Sequence, residues 1–131
     1  MAVRLNDTIR GIADGKNFAV VATTNPDGSP QSSVVWIARD GDDLLFSTTR
    51  GRRKERNLAR DPRLSITIFD IGNPYHYAEI RGSAKITEEG GRALIDTLSN
   101  KYIGTDYTGD GPDAVRIVVR VTPEKVTGFS A

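Results

Sequence analysis

Several residue types are missing or scarce in this 131-residue chain, and each shortage excludes a class of site. There is no cysteine, which excludes disulfides, thiolate metal sites and a cysteine nucleophile. His76 is the single histidine, so we predict no histidine-built zinc site and no other metal centre. No apolar run reaches the roughly 20 residues of a membrane-spanning helix. Residues 1–10 also lack the apolar stretch of a secretory signal, so we expect a cytoplasmic protein that does not bind membranes.

The remaining composition is that of a folded protein. Hydrophobic residues make up 37% of the chain and charged residues 27%, and the apolar runs are spread along its length. These proportions favour a globular protein over a disordered one. The length leaves little room for a second core, so we predict one domain over residues 1–131.

Positive charge is concentrated in one segment. The net charge is only +1, which argues against a general nucleic-acid-binding protein. Residues 50–63, however, hold seven basic and two acidic residues, a local charge of +5, so the rest of the chain carries −4. The segment is an anion-attracting patch, and it contains no aromatic residue that could stack on a nucleic-acid base.

Apolar periodicity predicts a chain with more strands than helices. Three helices are indicated. The first runs through Leu5, Ile9 and Ile12, is capped by Asn6 or Asp7 and ends at Gly15. The second spans residues 52–60 and is stopped by Pro62, and the third carries Leu94, Ile95, Leu98 and Tyr102, with Thr87 as its cap. Strands are expected at residues 18–23, 31–38, 44–48, 64–68, 75–86, 115–121 and 126–129.

The connections between these elements predict the fold class. Turn sequences around residues 25–28 and 40–43 indicate that the first three strands form an antiparallel meander. Gly82 marks an expected bulge or close backbone approach, residues 103–113 form a glycine-rich loop, and Pro123 separates the last two strands. Without regular alternation of strands and helices, the pattern favours a mainly β protein, a closed antiparallel barrel with added helices.

One segment combines the groups that bind phosphate. Residues 47–58 (STTRGRRKERNL) bring together hydroxyls, a glycine, several cations and a predicted helix start. Helix N-termini attract anions, arginine binds phosphate with two hydrogen bonds, and lysine adds a point charge. A solvated basic helix face has the same composition, and composition alone leaves both interpretations open.

The same region carries a family resemblance. The run GSPQSSVVWIARDGDDLLFSTTRGRRKERNLARDPRLSI, followed by NPYHYAEIRGSAKI, resembles the F-420-dependent enzymes of the pyridoxamine 5′-phosphate oxidase-like split-barrel superfamily. Its most specific part is the series Lys54, Asn57, Leu58, Asp61, Pro62 and Arg63. The resemblance spans nearly the whole chain and implies an FMN-binding-type split β-barrel, antiparallel and Greek-key-like.

The resemblance also implies a cofactor site and a dimer. The cofactor phosphate would be held by Arg52 and Lys54, with Arg53 and Asn57 nearby. The tricyclic ring would lie along the second and third strands, in contact with residues from two runs: Ser33, Val34, Val35 and Trp36, and Ser47, Thr48 and Thr49. The side chains of Trp36 and Tyr77 are candidates for contacting the cofactor ring or its tail, although a lone tryptophan in a strand is more often a packing residue. The sites would lie at a homodimer interface, with Tyr75, His76 and Tyr77 approaching from the partner.

Three functions follow from the resemblance and the charge. The first is an F-420-dependent oxidoreductase that transfers hydride to or from a small organic substrate, with Arg50, Arg56 and Arg60 as candidates for binding the anionic cofactor tail. The second is an FMN-dependent protein of the superfamily. It would not be a true pyridoxamine 5′-phosphate oxidase, because the arginine-histidine substrate motif and the C-terminal tryptophan signature of those enzymes are lacking. The third is a cofactor carrier without catalysis. No catalytic residue is assigned. His76 could move a proton near neutral pH, but an isolated histidine between tyrosines is more often a hydrogen-bonded packing residue.

Overall fold

A computed structural model describes residues 2–131, and in these residues the chain forms seven strands and three helices. In chain order they are α1 (Asp7–Asp14), β1 (Phe18–Thr24), β2 (Pro30–Trp36), β3 (Ala38–Asp40), β4 (Asp43–Thr49), α2 (Arg53–Arg60), β5 (Arg63–Asp70), β6 (Asn73–Thr87), α3 (Gly91–Tyr102) and β7 (Arg116–Thr127). The prediction of a mainly β protein is confirmed. No helix of the described chain has the length and apolarity needed to cross a membrane.

All seven strands belong to one antiparallel sheet with the order β2-β1-β5-β6-β7-β4-β3. Its two edge strands, β2 and β3, are joined by the single residue Ile37. Strands at opposite edges can be one residue apart only if the sheet curls until its edges meet. The sheet is therefore a curled half-barrel rather than a flat layer.

The expected closed barrel and three-strand meander are both corrected by this topology. The strand predicted over residues 31–38 changes neighbours at Ile37: β2 pairs with β1, whereas β3 pairs with β4. Pairing between β3 and β4 stops at Ala38 and Leu45. Beyond that point β2 and β4 approach each other without pairing. We call the gap between β2 and residues 46–49 of β4 the split.

The core has two parts on opposite faces of the curled sheet. Inside it, alternating residues of six strands are fully or nearly fully buried, among them Phe46, Ile66 and Ile80, and α1 and α2 add apolar residues to this cluster. Outside it, Leu94, Leu98 and Tyr102 of α3 pack on side chains from five strands: Phe18, Trp36, Ala38, Leu45 and Val118. The third helix therefore covers the place where the sheet edges meet.

The predicted helices are confirmed, with one correction at a cap. Asn6 caps α1, because its side-chain oxygen accepts a hydrogen bond from the Ile9 N–H at 2.8 Å. The third helix instead follows Gly90, which has a φ of +79°. Thr87 does not cap it, since its hydroxyl donates to the carbonyl of Glu89 at 3.4 Å.

The bulge expected at Gly82 is confirmed, and it explains a second correction. The pairing of β6 with β7 shifts register between Arg81 and Gly82, and a Cβ at Gly82 would lie 2.1 Å from the carbonyl oxygen of Thr122. Pro123 pairs opposite Gly82 at this irregularity. Because a proline without an N–H is tolerated at a bulge, the two predicted last strands are one continuous strand, β7.

Candidate functional site

A cavity of about 430 Å³ lies at the split, within the roughly 300–1,000 Å³ typical of small-molecule sites. Its apolar wall consists of Phe18, Val34, Val35, Trp36, Ile95, Leu98, Ile103 and Tyr107, and its polar lining of Ser47, Thr48, Arg52, Lys54 and Arg116. Seven of these residues come from β2, β4 and the turn from β4 into α2, the three segments in which sequence analysis placed the site.

Two sheet segments offer unpaired backbone to this cavity. One side of β2 pairs with β1, and its other side has no strand partner among residues 2–131. In β4, residues 46–49 pair only with β7. A strand edge presents N–H and C=O groups that need hydrogen-bond partners from water or a ligand. The split can therefore bind the polar edge of a planar ring without a dedicated side chain.

Aromatic packing fixes one wall of the cavity. The ring of Trp36 stacks on Tyr102, with centroids 5.3 Å apart and an angle of 7° between the planes. The ring of Tyr107 meets Trp36 edge-on at 6.2 Å and 87°. Because Tyr102 also stacks on Phe18 at 5.6 Å, Trp36 is held on a preformed apolar surface.

The cationic end of the cavity is the turn from β4 into α2. Gly51 has a φ of +93°, which turns the chain, and its N–H donates to the buried carboxylate of Glu55 at 2.7 Å. The helix then begins after Arg52, whose side chain forms no cap. The first N–H groups of a helix have no acceptor within it and create a positive end. Arg52 and Lys54 thus lie beside a helix terminus that itself favours anions.

The electrostatics at Lys54 indicate unneutralised positive charge. Burial lowers the pKa of Lys54, and the nearby charges of Arg52 and Arg116 lower it further. Neither Arg52 nor Lys54 makes a salt bridge with any residue between 2 and 131. Bound phosphate would relieve this repulsion, so the arrangement suits an anion.

Arg116 is a cavity residue that sequence analysis missed. Its guanidinium makes two hydrogen bonds of 2.8 Å to Asp110 and one of 3.3 Å to the hydroxyl of Ser47. The hydrogen bond from Arg116 lowers the pKa of Asp110. Arg116 reaches the cavity because β7 pairs with β4, placing it opposite Thr49. No local pattern pairs residue 116 with residue 49, so only the sheet topology reveals it.

The sequence-predicted site residues fall into two groups. Those that line the cavity are Val34, Val35, Trp36, Ser47, Thr48, Arg52 and Lys54. Those that do not are Ser33, Thr49, Arg53, Asn57 and Tyr77. Ser33 precedes Val34, and its hydroxyl is buried without a hydrogen-bond partner in the described chain.

Asn57 and Tyr77 have packing roles within one chain. Asn57 is fully buried and donates hydrogen bonds to Thr23 at 2.9 Å and Asn25 at 3.0 Å, which ties α2 to β1. Tyr77 lies on β6 and meets Phe129 edge-on at 5.7 Å. It does not reach the cavity of its own chain, and its approach from a partner stays a prediction.

The three arginines proposed for an anionic tail differ in availability. Arg50 contacts Glu55 at 3.5 Å and Glu88 at 3.4 Å. Arg60 donates a hydrogen bond to the carbonyl of Thr24. Arg56 is exposed and makes no salt bridge within the described part of the chain. Among the three, Arg56 is the best placed to meet a solvent-borne anion.

Comparison with known proteins identifies the family. The family described as pyridoxamine 5′-phosphate oxidase matches residues 5–130. The chain belongs to this family. A solved F-420 reductase is 29% identical, with a TM-score of 0.83 over 94% of this chain and 98% of that one. A conserved hypothetical protein from Mycobacterium tuberculosis is 23% identical, with a TM-score of 0.72 over 95% and 84% of the two chains.

A third structure belongs to a pyridoxamine 5′-phosphate oxidase-related, FMN-binding protein from Nostoc punctiforme. It is 15% identical, with a TM-score of 0.60 over 85% of this chain and 73% of that one. At such identities the likeness shows the fold alone. The split-barrel prediction is confirmed, and the fold is that of the flavin-binding oxidoreductases of this family.

The residues of the cavity fit a phosphate-bearing flavin or deazaflavin. Arg52, Lys54 and the start of α2 would hold the phosphate. Val34, Val35 and Trp36 offer an apolar surface to a planar ring. The unpaired strand edges at the split complement its polar edge.

Proposed function

We propose that the protein is an F-420-dependent oxidoreductase that transfers hydride between the deazaflavin and a small organic substrate. The observation that carries the proposal is an apolar cavity at a sheet split whose one end holds two cations, Arg52 and Lys54, that form no salt bridge in the described chain. The 29% identity to an F-420 reductase over nearly the whole chain supports the deazaflavin over FMN.

The chain's own contribution is positioning. The bound deazaflavin would supply the hydride chemistry at its C5 carbon. Arg52 and Lys54 anchor the phosphate, and Trp36 and Val34 present an apolar surface to the ring. Holding two reactants in fixed geometry removes much of the entropic barrier to their reaction. The cavity lining in the described part of the chain contains no carboxylate or histidine, and we assign no proton donor there.

We also propose that the site is completed by a second copy of the chain. Val34 and Ile103 line the cavity and yet are 65% and 62% exposed, so apolar surface at the site is open in a single chain. Water would cover this surface in a monomer, whereas a partner would bury it. A homodimer with cofactor sites at the subunit interface accounts for this exposure.

Ligand titration of matched variants tests the cofactor site. F-420 and FMN are titrated into the wild-type protein, Lys54→Ala, Arg52→Ala and the control Lys85→Ala, whose lysine is exposed on β6. A charge-assisted hydrogen bond contributes about 1.5–3 kcal/mol, so each site variant should lose affinity about tenfold or more. If both site variants bind the ligands with unchanged affinity, the basic patch is a solvated helix face and not a phosphate site.

The FMN alternative is tested by competition at low and high salt. Free Arg56 favours a cofactor with an anionic tail, so F-420 should bind more tightly than FMN and show a steeper loss of affinity with salt. Arg56→Ala should reduce that difference. If FMN binds more tightly and salt affects both ligands equally, the protein uses FMN. Turnover with chemically reduced cofactor separates either enzyme from a carrier.

A further inference from the structure

The loop over residues 103–113 is tied to the cavity by a bidentate ion pair. Asp110 accepts hydrogen bonds from the Nε and Nη2 atoms of Arg116, each at 2.8 Å. The two side chains are only 15% and 11% exposed. Partly buried bidentate pairs of this kind have fixed geometry, unlike flexible surface pairs.

The same loop places Tyr107 in the cavity wall. Its ring lies 4.8 Å from the Arg116 guanidinium carbon and meets Trp36 edge-on. Its backbone N–H donates to Asp96 of α3 at 3.0 Å. Arg92 connects these groups, because it pairs with Asp96 at 2.6 Å and lies 3.6 Å from Asp110. Arg116 thus contacts both the loop's carboxylate and the ring that the loop carries.

Arg116 is the rigid member of this arrangement. It begins β7, paired with β4, and its carbonyl packs against the start of α3. A Cβ on Gly91 would lie only 2.1 Å from that carbonyl oxygen, so the first turn of α3 fits there only with glycine. The loop has no helix or strand of its own. The ion pair therefore attaches an irregular segment to a fixed point of the sheet.

We propose that Arg116 and Asp110 are positioning residues that hold Tyr107 against Trp36 and thereby build one wall of the ring-binding cavity. The contacts of Arg116, Asp110, Tyr107 and Trp36 form this wall whatever binds in the cavity, whereas its contact with a flavin-like ring rests on the proposed function. An alternative role for the ion pair predicts the opposite effect on anion binding. If Asp110 merely masks Arg116 as a third phosphate ligand, removing its charge should strengthen anion binding.

The fluorescence of Trp36, the single tryptophan, measures how well Tyr107 shields it from solvent, and no ligand is needed. Acrylamide quenching of its fluorescence is measured in the wild-type protein, Asp110→Asn, Tyr107→Ala and the double variant. The control is Asp61→Asn, which breaks another bidentate pair, with Arg63, outside the cavity lining. We expect a larger quenching constant for Asp110→Asn and Tyr107→Ala and no change for Asp61→Asn. The double variant should match Tyr107→Ala, because the pair acts through that ring.

Titration with F-420 and FMN supplies the second measurement. Asp110→Asn and Tyr107→Ala should each bind both ligands about two- to tenfold more weakly, the range of one aromatic contact. Quenching of Asp110→Asn at the wild-type level would overturn the proposal. So would tighter, more salt-sensitive binding by Asp110→Asn, which would make Arg116 a masked phosphate ligand. If the wild-type protein binds neither ligand, the proposed function fails, while the quenching data still decide the role of the pair.

Discussion

The hydroxyl of Tyr102 should stabilise the joint between the two edges of the sheet. It accepts a hydrogen bond from the N–H of Ile37 at 3.2 Å and donates one to the carbonyl of Asn17. The neighbouring Lys101 donates to the carbonyl of Ile37 at 2.6 Å. Both polar groups of the connecting peptide are therefore satisfied by the end of α3. Tyr102→Phe removes the hydroxyl and keeps the ring.

The loss of stability expected for Tyr102→Phe follows from the burial of Ile37. Ile37 is fully buried, so its N–H would be left without an acceptor and out of reach of water. An unsatisfied buried polar group costs about 1–3 kcal/mol in the free energy of unfolding. The stacking of the ring on Phe18 and Trp36 is kept, so the larger loss of a core aromatic is avoided. For a chain of this size, a loss of 1 kcal/mol lowers the melting temperature by roughly 3–6 °C.

Urea unfolding, followed by circular dichroism and by Trp36 fluorescence at one protein concentration, measures the effect. Tyr107→Phe is the matched control, because the Tyr107 hydroxyl makes no hydrogen bond with the described residues. We expect Tyr102→Phe to lower the free energy of unfolding while Tyr107→Phe leaves it within about 0.5 kcal/mol of wild type. Equal stabilities for the two variants would refute the role of the hydroxyl at the joint.

Three further predictions concern packing, pH and assembly. Gly82→Ala should cost about 1–3 kcal/mol, because its Cβ would meet the Thr122 carbonyl, whereas Gly11→Ala in the open face of α1 should stabilise by about 0.5–1 kcal/mol; thermal melts compare them. Burial lowers the pKa of Lys54, so this lysine loses its charge at a lower pH than an ordinary lysine does. The affinity for FMN should therefore fall as rising pH deprotonates Lys54, whereas the affinity of Lys54→Met should not change over the same pH range. Sedimentation at micromolar concentration should show a dimer. A monomer that binds the cofactor with full affinity would contradict the proposal that two chains share the site.

The sequence predicts local structure well because local structure depends on local signals. The cap at Asn6, the stop at Pro62 and the bulge at Gly82 each follow from one residue's conformational preference. The cationic end of the cavity was predictable for the same reason. Arg52 and Lys54 are neighbours in sequence, and a helix start beside them is a local event.

The parts that were not predictable depend on pairing between distant segments. Nothing in residues 31–38 indicates that the extended chain exchanges β1 for β4 at Ile37. Likewise, Pro123 interrupts a strand in most contexts, and only its partner Gly82 supplies the bulge that accommodates it. Arg116 and Tyr107 enter the cavity through the pairing of β4 with β7 and the path of a loop without secondary structure.

The same exchange of neighbours explains why the cavity lies where it does. The extended chain over residues 30–40 pairs with β1 in its first part and with β4 in its last part. If the pairing with β4 continued backward beyond Ala38 and Leu45, Trp36 would meet Ser47 and the barrel would be closed. Because β2 stays with β1 instead, residues 34–36 and 47–48 separate and line the cavity. Their free backbone groups remain to be satisfied. The start of α2, which must follow β4 directly, then places Arg52 and Lys54 at one end of this opening. The switch at Ile37 and the helix after β4 therefore create together a cavity with a cationic end.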